Sequence, residues 1–204
     1  MPKILSEQAS DALESAKQAL LAGGVLVVPT ETVYGLVTLW SNVDGRNRIY
    51  ELKRRPREKR LQMLAGSLET ATPWLREADK LSALARRFWP GPLTIVVPAA
   101  DGIDTIGLRI PRCRFLLELL KLLPEPLAAT SANLSGYPPP QDASTAAANL
   151  AGKPDMVIDG GVCSETGNSA STVISLLGTE PQLLRAGQIS LEDVRAVWAE
   201  GSRR

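Results

Sequence analysis

Short apolar runs alternate along the chain with longer stretches whose apolar positions recur every three or four residues. Residues 25–28 form an apolar run that Pro29 ends, which predicts a buried strand. Residues 93–97 and 106–110 predict two strands on either side of a turn at Asp101 and Gly102. Further strands are predicted at 62–65, 127–130, 156–158, 172–176 and 182–184.

Helical spacing separates these strands. Apolar residues from Ala9 to Leu20 share one face of a first helix, which Gly23 and Gly24 end. Other helices are predicted at 45–52, 81–88, 116–123 and 143–151, and a last one begins at Ser190. Because strands and helices interleave throughout, we predict an α/β fold with a twisted mixed sheet flanked by helices, in a single domain over residues 1–204.

Composition narrows the chemistry. The 204 residues include no histidine, which excludes Ser-His-Asp and Cys-His catalysis and histidine-ligated zinc. The two cysteines, Cys113 and Cys163, are too few for a four-thiolate metal site, and we expect both to be reduced. No segment reaches the roughly 18 apolar residues of a membrane span, so we expect no membrane association and a cytoplasmic location.

Polar residues follow two of the predicted strands. Thr30, Glu31 and Thr32 come directly after the strand at 25–28, and residues 130–136 bring Ser131 and Asn133 to the end of another. Hydroxyl and amide side chains beside free backbone N–H groups suit an oxygen-rich anion. Helix capping at Thr30 or Thr32, with Tyr34 in the core, and ordinary turn chemistry at 130–136 remain open alternatives.

The most basic segment is 53–60, which contains three arginines and Lys53 before Glu58. Pro56 interrupts any helix, so we expect these cations on a bent surface loop. Such a loop can wrap a polyphosphate, with lysine as a point charge and arginine as a bidentate fork. A solvated basic face and a contact with an RNA backbone are the alternatives.

Two more arginines lie between apolar neighbours, Arg109 and Arg185. Each either pairs with an internal carboxylate, for which Asp104 and Asp159 are candidates, or meets an anionic ligand. The chain has neither a Walker-type phosphate loop nor a G-x-G-x-x-G motif. A bound nucleotide must therefore use a different kind of site.

Eight short motifs occur in an order that resembles the YrdC-like threonylcarbamoyl-AMP synthases. They lie at 29–36, 53–56, 89–94, 109–111, 131–136, 159–161, 171–173 and 184–187. The resemblance implies a YrdC-like fold with a deep basic cavity, in its short single-domain form. It also implies synthesis of threonylcarbamoyl-adenylate and pyrophosphate from L-threonine, bicarbonate and ATP, for the t6A modification of tRNA position 37. A separate tRNA threonylcarbamoyl transferase complex is then the downstream partner, and a contact with tRNA is a further expectation.

The same resemblance implies roles for individual residues. Lys53 and Arg55 match the catalytic pair of cations, which neutralise phosphate charge together with Mg²⁺ carried by ATP, and no metal is ligated by the protein. Thr32, Arg109 and Ser171 match residues that contact threonine, with Arg109 the fork for its carboxylate. The matched ATP contacts are Lys53, Arg55, Lys59, Thr105, Ser131, Asn133 and Arg185.

Four residues depart from the family pattern: Val37, Arg54, Arg60 and Leu64. Val37 and Arg54 stand where glycine is usual, and Leu64 stands where some relatives have a histidine that contacts substrate. These departures put the shape of the threonine pocket in question. Two other functions therefore stay open, an RNA-binding module without catalysis and a diverged paralogue that binds a nucleotide but activates a different acceptor.

Overall fold

A computed structural model of the chain describes residues 2–163 and 170–201. Within them, the ten strands are β1 (Lys3–Ser6), β2 (Leu26–Val28), β3 (Gly35–Leu39), β4 (Gln62–Leu64), β5 (Leu93–Pro98), β6 (Thr105–Arg109), β7 (Leu127–Ser131), β8 (Met156–Asp159), β9 (Thr172–Ser175) and β10 (Gln182–Arg185). The seven α-helices are α1 (Ala12–Leu21), α2 (Val43–Lys53), α3 (Leu68–Ala71), α4 (Ser82–Phe88), α5 (Arg114–Leu122), α6 (Ala143–Ala148) and α7 (Leu191–Gly201). Single 3-10 turns cover 72–74 and 78–81.

The strands form one mixed sheet in the order β1-β8-β2-β3-β7-β4-β6-β5-β9-β10. Four neighbouring pairs are parallel: β1 with β8, β2 with β8, β4 with β6, and β5 with β9. The remaining neighbours are antiparallel, including the β5–β6 hairpin around Asp101 and Gly102. The α/β prediction with a mixed sheet flanked by helices is confirmed. Two strands, β1 and β3, were not predicted.

Successive residues of a strand point to opposite faces, so each strand contributes to two surfaces. Ile95 of β5 lies opposite Leu108 of β6, and both belong to a core cluster with residues of α4 and α7. The alternate residues Thr94 and Gly107 point to the other face. Helices α1 and α5 pack on that second face near β2, β3 and β7. Further along the sheet, beyond these helices, the second face opens into a cavity.

Helix α2 brings the basic segment to this cavity. It begins after Asn42, whose side chain accepts a hydrogen bond of 2.9 Å from the Gly45 amide. It ends at Arg54, which adopts the left-handed conformation with a φ of 47°. That conformation favours glycine, which accounts for the glycine that relatives usually have at this position. The chain then turns away from the helix axis at Pro56.

Both cysteines are free thiols, as predicted. Burial is the main reason that the pKa of Cys163 rises to about 11. Over the part of the chain that the structure describes, no helix combines the length and the apolar character needed to cross a bilayer. Residues 164–169, which come shortly before the motif at 171–173, lie outside the described residues.

Candidate active site

A cavity of about 580 Å³ lies on the open face of the sheet. Its floor consists of residues of β4, β5, β6, β7 and β9, at alternating positions in β5 and β6, and its rim consists of the segments that follow α2 and β7. Eight residues for which the sequence predicted a ligand contact line it: Thr32, Arg55, Thr105, Arg109, Ser131, Asn133, Ser171 and Arg185. The fold therefore brings together segments that are separated by up to 153 positions, from Thr32 to Arg185.

Lys53 is not among the described lining residues, and its predicted location on a surface loop is wrong. It is the last residue of α2 and only 1% exposed. Its ammonium group donates to the backbone carbonyl of Asn133 at 2.6 Å and also to that of Ser131. Burial, with a smaller contribution from the Arg55 charge, lowers the pKa of Lys53 to about 7. Lys53 thus stabilises the turn after β7 through two backbone carbonyls, without lining the cavity itself.

Backbone amides of this turn are already engaged, contrary to the expectation of free N–H groups. The amides of Ala132, Asn133, Leu134 and Ser135 all donate to backbone carbonyls. The Asn133 side chain uses both of its N–H groups on the carbonyls of Leu134 and Tyr137, at 2.8 and 2.7 Å. Its Oδ1 is buried and has no hydrogen-bond partner among the described residues. Asn133 therefore shapes the turn and offers the cavity an acceptor.

Ser131 has a different status from its neighbours. It is partly exposed, it lines the cavity, and no described residue hydrogen-bonds to its hydroxyl. A free hydroxyl at the end of β7 can donate one hydrogen bond to an anion. Ser131 consequently offers the cavity a hydroxyl donor among the described residues of this turn.

Arg55, Arg109 and Arg185 are tethered to the protein in a common way. Arg55 donates from Nε to Lys59 O at 2.7 Å and from Nη2 to Arg60 O at 3.0 Å. Arg185 donates from Nε and Nη2 to the Ser171 carbonyl, at 3.1 and 2.8 Å. No described residue accepts a hydrogen bond from Nη1 of any of the three arginines. Each guanidinium is fixed in place with part of its donor capacity left over.

Arg109 is the most buried of the three, at 3% exposure. Its Nε donates to Gly91 O at 3.2 Å, and its Nη2 donates to Thr32 Oγ1 at 3.0 Å. The carboxylate that compensates its charge belongs to Glu31, with Oε2 2.8 Å from Nη2. The candidates predicted for this arginine, Asp104 and Asp159, were wrong.

Asp104 and Asp159 have other partners. Asp104 forms an ion pair with Arg60, which also approaches Thr105 at the edge of the cavity. Asp159 accepts a hydrogen bond from the Gly161 amide at 2.9 Å and lies 3.4 Å from the Tyr34 hydroxyl. Tyr34 is buried in the core, as the alternative interpretation of the motif at 29–36 predicted. No helix begins at Thr30 or Thr32, so the capping part of that interpretation was wrong.

Lys59 lies outside the cavity wall as far as the described residues define it. Its side chain is exposed, and its carbonyl holds Arg55. Four arginines and one glutamate stand among the described residues that line the cavity: Arg55, Arg60, Arg109, Arg185 and Glu58.

Two of the departures from the family pattern do not reach the cavity. Val37 and Leu64 are buried in the core cluster beneath α1 and α5, and neither is among the described lining residues. Their substitution therefore changes packing on the covered part of the sheet. Glu31, Gln62 and Thr94 had no predicted ligand contact, although Glu31 and Thr94 stand within motifs of the family.

Comparison with known proteins decides the family. Residues 18–187 match the Sua5/YciO/YrdC family model, which is described as telomere recombination. The chain belongs to the Sua5/YciO/YrdC family. It is 39% identical over 188 residues to the threonylcarbamoyl-AMP synthase of Pyrococcus abyssi, covering 87% of this chain and 54% of that protein. It is 36% identical over 196 residues to the enzyme of the same name from Bacillus subtilis, covering 91% and 56% respectively.

The fold of this Sua5/YciO/YrdC chain matches solved structures of the family. A crystal structure of P. abyssi Sua5 complexed with L-threonine superposes with a TM-score of 0.87 at 35% identity, covering 97% of this chain and 60% of that one. The chain thus spans little more than half the length of the two curated relatives. The YrdC-like fold predicted from the motifs is confirmed.

Proposed function

We propose that this Sua5/YciO/YrdC chain is a threonylcarbamoyl-AMP synthase that works as a single domain. One observation carries the proposal: three arginines from distant segments are tethered around one cavity, and their Nη1 groups have no hydrogen-bond partner among the described residues. A pair or triad of fixed guanidinium groups suits a ligand with several anionic groups, such as a triphosphate beside a carboxylate. The names of the relatives from P. abyssi and B. subtilis support the same activity.

The phosphates of ATP are assigned to the rim between α2 and β7. Arg55 supplies a guanidinium there, and Ser131 supplies its free hydroxyl. Thr105 and Arg185 lie further along the same wall and are assigned to the nucleotide. Because both Asn133 N–H groups are used within the turn, its free Oδ1 is assigned to a donor, such as a ribose hydroxyl or a metal-bound water. Lys53 acts through the turn, and Lys59 acts through Arg55.

The amino acid is assigned to the deep end of the cavity. Nη1 of Arg109 is placed to take the carboxylate of L-threonine, while Glu31 and Thr32 hold Nη2. The P. abyssi Sua5 structure with L-threonine supports an amino-acid ligand in this family. Ser171 directly precedes β9, two strands from the β6 strand of Arg109, and completes this end through its contact with Arg185.

The chemistry needs no covalent intermediate on the protein. Threonine amine and bicarbonate give a carbamate and water, and a carbamate oxygen then attacks the α-phosphorus of ATP. The bond to the β-phosphate breaks and pyrophosphate leaves. The protein contributes by holding the reactants together and by placing fixed positive charge where negative charge develops. The product is then passed to a separate tRNA threonylcarbamoyl transferase complex.

Mg²⁺ fits this site as a companion of ATP. Among the described residues, no cluster of three or more acidic or thiol side chains is placed to hold a metal ion. Magnesium usually binds through substrate phosphates with few protein ligands, so phosphate oxygens and waters suffice for it, and one of those waters would donate to Asn133 Oδ1. When bound, it adds neutralisation of the phosphate charge.

The test is pyrophosphate release by the purified chain with ATP, Mg²⁺, L-threonine and bicarbonate, with each omitted in turn. We expect release that requires all of them. Equal rates with other amino acids in place of threonine would favour the diverged paralogue. No release in the complete mixture, together with salt-sensitive RNA binding that needs no ATP, would favour the RNA-binding module instead.

A further inference from the structure

A chain of hydrogen bonds crosses the floor of the cavity from β10 to β4. Arg185 Nη2 donates to Ser171 Oγ at 3.0 Å, and Ser171 Oγ lies 3.0 Å from Thr94 Oγ1. Thr94 Oγ1 in turn lies 3.3 Å from Gln62 Oε1. Ser171 and Thr94 are both buried, so each hydroxyl proton requires an acceptor.

The arginine sets the direction of this chain. A guanidinium can only donate hydrogen bonds, so the Ser171 hydroxyl accepts a hydrogen bond from Arg185. The Ser171 hydroxyl then donates its own hydrogen bond to Thr94 Oγ1. Thr94 then donates to Gln62, which must present its carbonyl oxygen. Any other arrangement leaves a buried hydroxyl proton of Ser171 or Thr94 without an acceptor among the described residues. The amide orientation of Gln62 is thereby fixed, with the NH₂ group left over.

No described residue accepts a hydrogen bond from the Gln62 NH₂ group, and Gln62 lines the cavity. Its cross-strand neighbours on this face are small. Ala129 of β7 pairs with Gln62 directly, and a Cβ built on Gly107 of β6 would lie 3.8 Å from the Gln62 Cβ. The floor therefore has a hollow at Gln62, flanked by residues with no side chain beyond Cβ.

We propose that the Gln62 NH₂ group donates to an oxygen of a planar oxyanion, the bicarbonate and then the carbamate made from it. This inference rests on the proposed function. The hollow lies on β4, between β7, which carries the phosphate-binding Ser131, and β6, which carries the carboxylate-binding Arg109. The carbamate carbon is bonded to the threonine nitrogen and, through an oxygen, to the α-phosphorus. We therefore expect it between Ser131 and Arg109. An amide donor suits it because it binds oxygen without adding another charge.

Two variants test the donor. Gln62→Glu keeps an oxygen for Thr94 and replaces only the NH₂ group by a second oxygen, whereas Gln62→Leu removes both. The matched control is Gln8→Glu, the same exchange at an exposed position outside the described cavity wall. We expect Gln62→Leu to raise the KM for bicarbonate about 10- to 100-fold, as for one lost hydrogen bond to a charged group, and Gln62→Glu to raise it more. The KM for ATP should change less than about threefold in both.

A second readout does not require turnover. Line broadening of [¹³C]bicarbonate is measured by NMR with the protein, L-threonine and an ATP analogue that cannot release pyrophosphate. Broadening should occur with the wild type and the control and be lost in both Gln62 variants. Unchanged bicarbonate KM values in the variants of an active enzyme would overturn the inference and leave the proposed function standing. If the wild type releases no pyrophosphate but shows broadening that the Gln62 variants lose, the proposed function is overturned and the inference stands. Absence of broadening in the wild type would overturn the oxyanion site.

Discussion

The two faces of β4, β6, β5 and β9 differ completely although the same residues alternate between them. One face carries Met63, Ile95, Leu108 and Ile174 into a core cluster, and the other carries Gln62, Thr94, Arg109 and Val173 into the cavity. Residues adjacent in the chain therefore have different roles, one in the hydrophobic core and the next in the cavity. Substitutions on the first face should cost stability, and substitutions on the second should cost ligand binding with a smaller effect on the fold.

The helices explain why only one face stays open. Helices α4 and α7 cover the first face of these strands, whereas α1 and α5 cover the second face only near β2, β3 and β7. Small residues such as Gly107 and Ala129 leave the uncovered part hollow. Four arginines can lie there because carbonyls compensate Arg55 and Arg185, Glu31 compensates Arg109, and Asp104 compensates Arg60.

Leu108→Ala should break the packed face. Leu108 is fully buried, and truncation of such a leucine leaves a cavity that costs about 2–5 kcal/mol of unfolding free energy. Urea denaturation measures the loss. Threonine and ATP KM values of the folded fraction should stay within about twofold of the wild type, and a large KM change would show that the faces are not separable.

Arg109→Lys tests the cavity face, where a substitution should weaken ligand binding more than it destabilises the fold. Lysine keeps a positive charge for Glu31 but cannot offer the planar fork. We expect the KM for L-threonine to rise about 10- to 100-fold, with ATP much less affected and with a smaller loss of stability than Leu108→Ala causes. A loss of stability as large as that of Leu108→Ala, with threonine binding intact, would assign Arg109 to the structure alone.

Lys53→Met tests a cation that belongs to neither face. Removal of the ammonium leaves the carbonyls of Ser131 and Asn133 without their donor, which should cost about 1–3 kcal/mol. A lysine on a surface loop, the location that the sequence predicted, would be removed with almost no loss of stability.

The pH dependence of Lys53→Met gives a second check. Folding lowers the Lys53 pKa from 10.5 to about 7, so the unfolded chain binds more protons at this group between those values. Stability of the wild type should therefore rise relative to Lys53→Met as pH increases from about 7 towards 10. Parallel pH profiles for the two proteins would show that the Lys53 pKa is not depressed.

Arg55→Ala should have the smallest structural effect. Arg55 is partly exposed and bonds only to carbonyls of its own loop, so the loss is expected mainly in the KM for ATP, by about tenfold. Arg57→Ala, two residues away on the exposed side of the loop, is the matched control and should change ATP binding less than about threefold. Equal effects of the two variants would indicate a diffuse basic surface.

Local pattern was enough to predict most of the fold. Apolar runs placed β2, β5, β6 and β7 within one or two residues, because these strands are buried and end at proline or polar turns. Strand β1 is an exposed edge without alternation, and β3 follows directly on the polar segment 30–34, so neither had a local signature. The partner of β1, β8, lies far along the chain, and β3 pairs both with the nearby β2 and with the distant β7.

The sequence predicted most of the residues that line the cavity, but not the contacts that these residues make with one another. Arg109 and Ser171 line the cavity that the resemblance predicted, whereas the Glu31 ion pair with Arg109 joins two segments that meet only in the folded molecule. The same holds for Lys53, whose basic neighbours are exposed while its own side chain reaches carbonyls 78 and 80 positions away. Charge patterning cannot distinguish a buried cation from a solvated one.

A crystal structure of the protein with L-threonine, Mg²⁺ and an ATP analogue that cannot release pyrophosphate would test where the ligands meet. We expect both in one cavity, with the threonine carboxylate about 3 Å from Arg109 Nη1 and the phosphates against Arg55 and Ser131. Threonine and the nucleotide bound at separate surfaces, or a cavity that binds neither, would contradict the account.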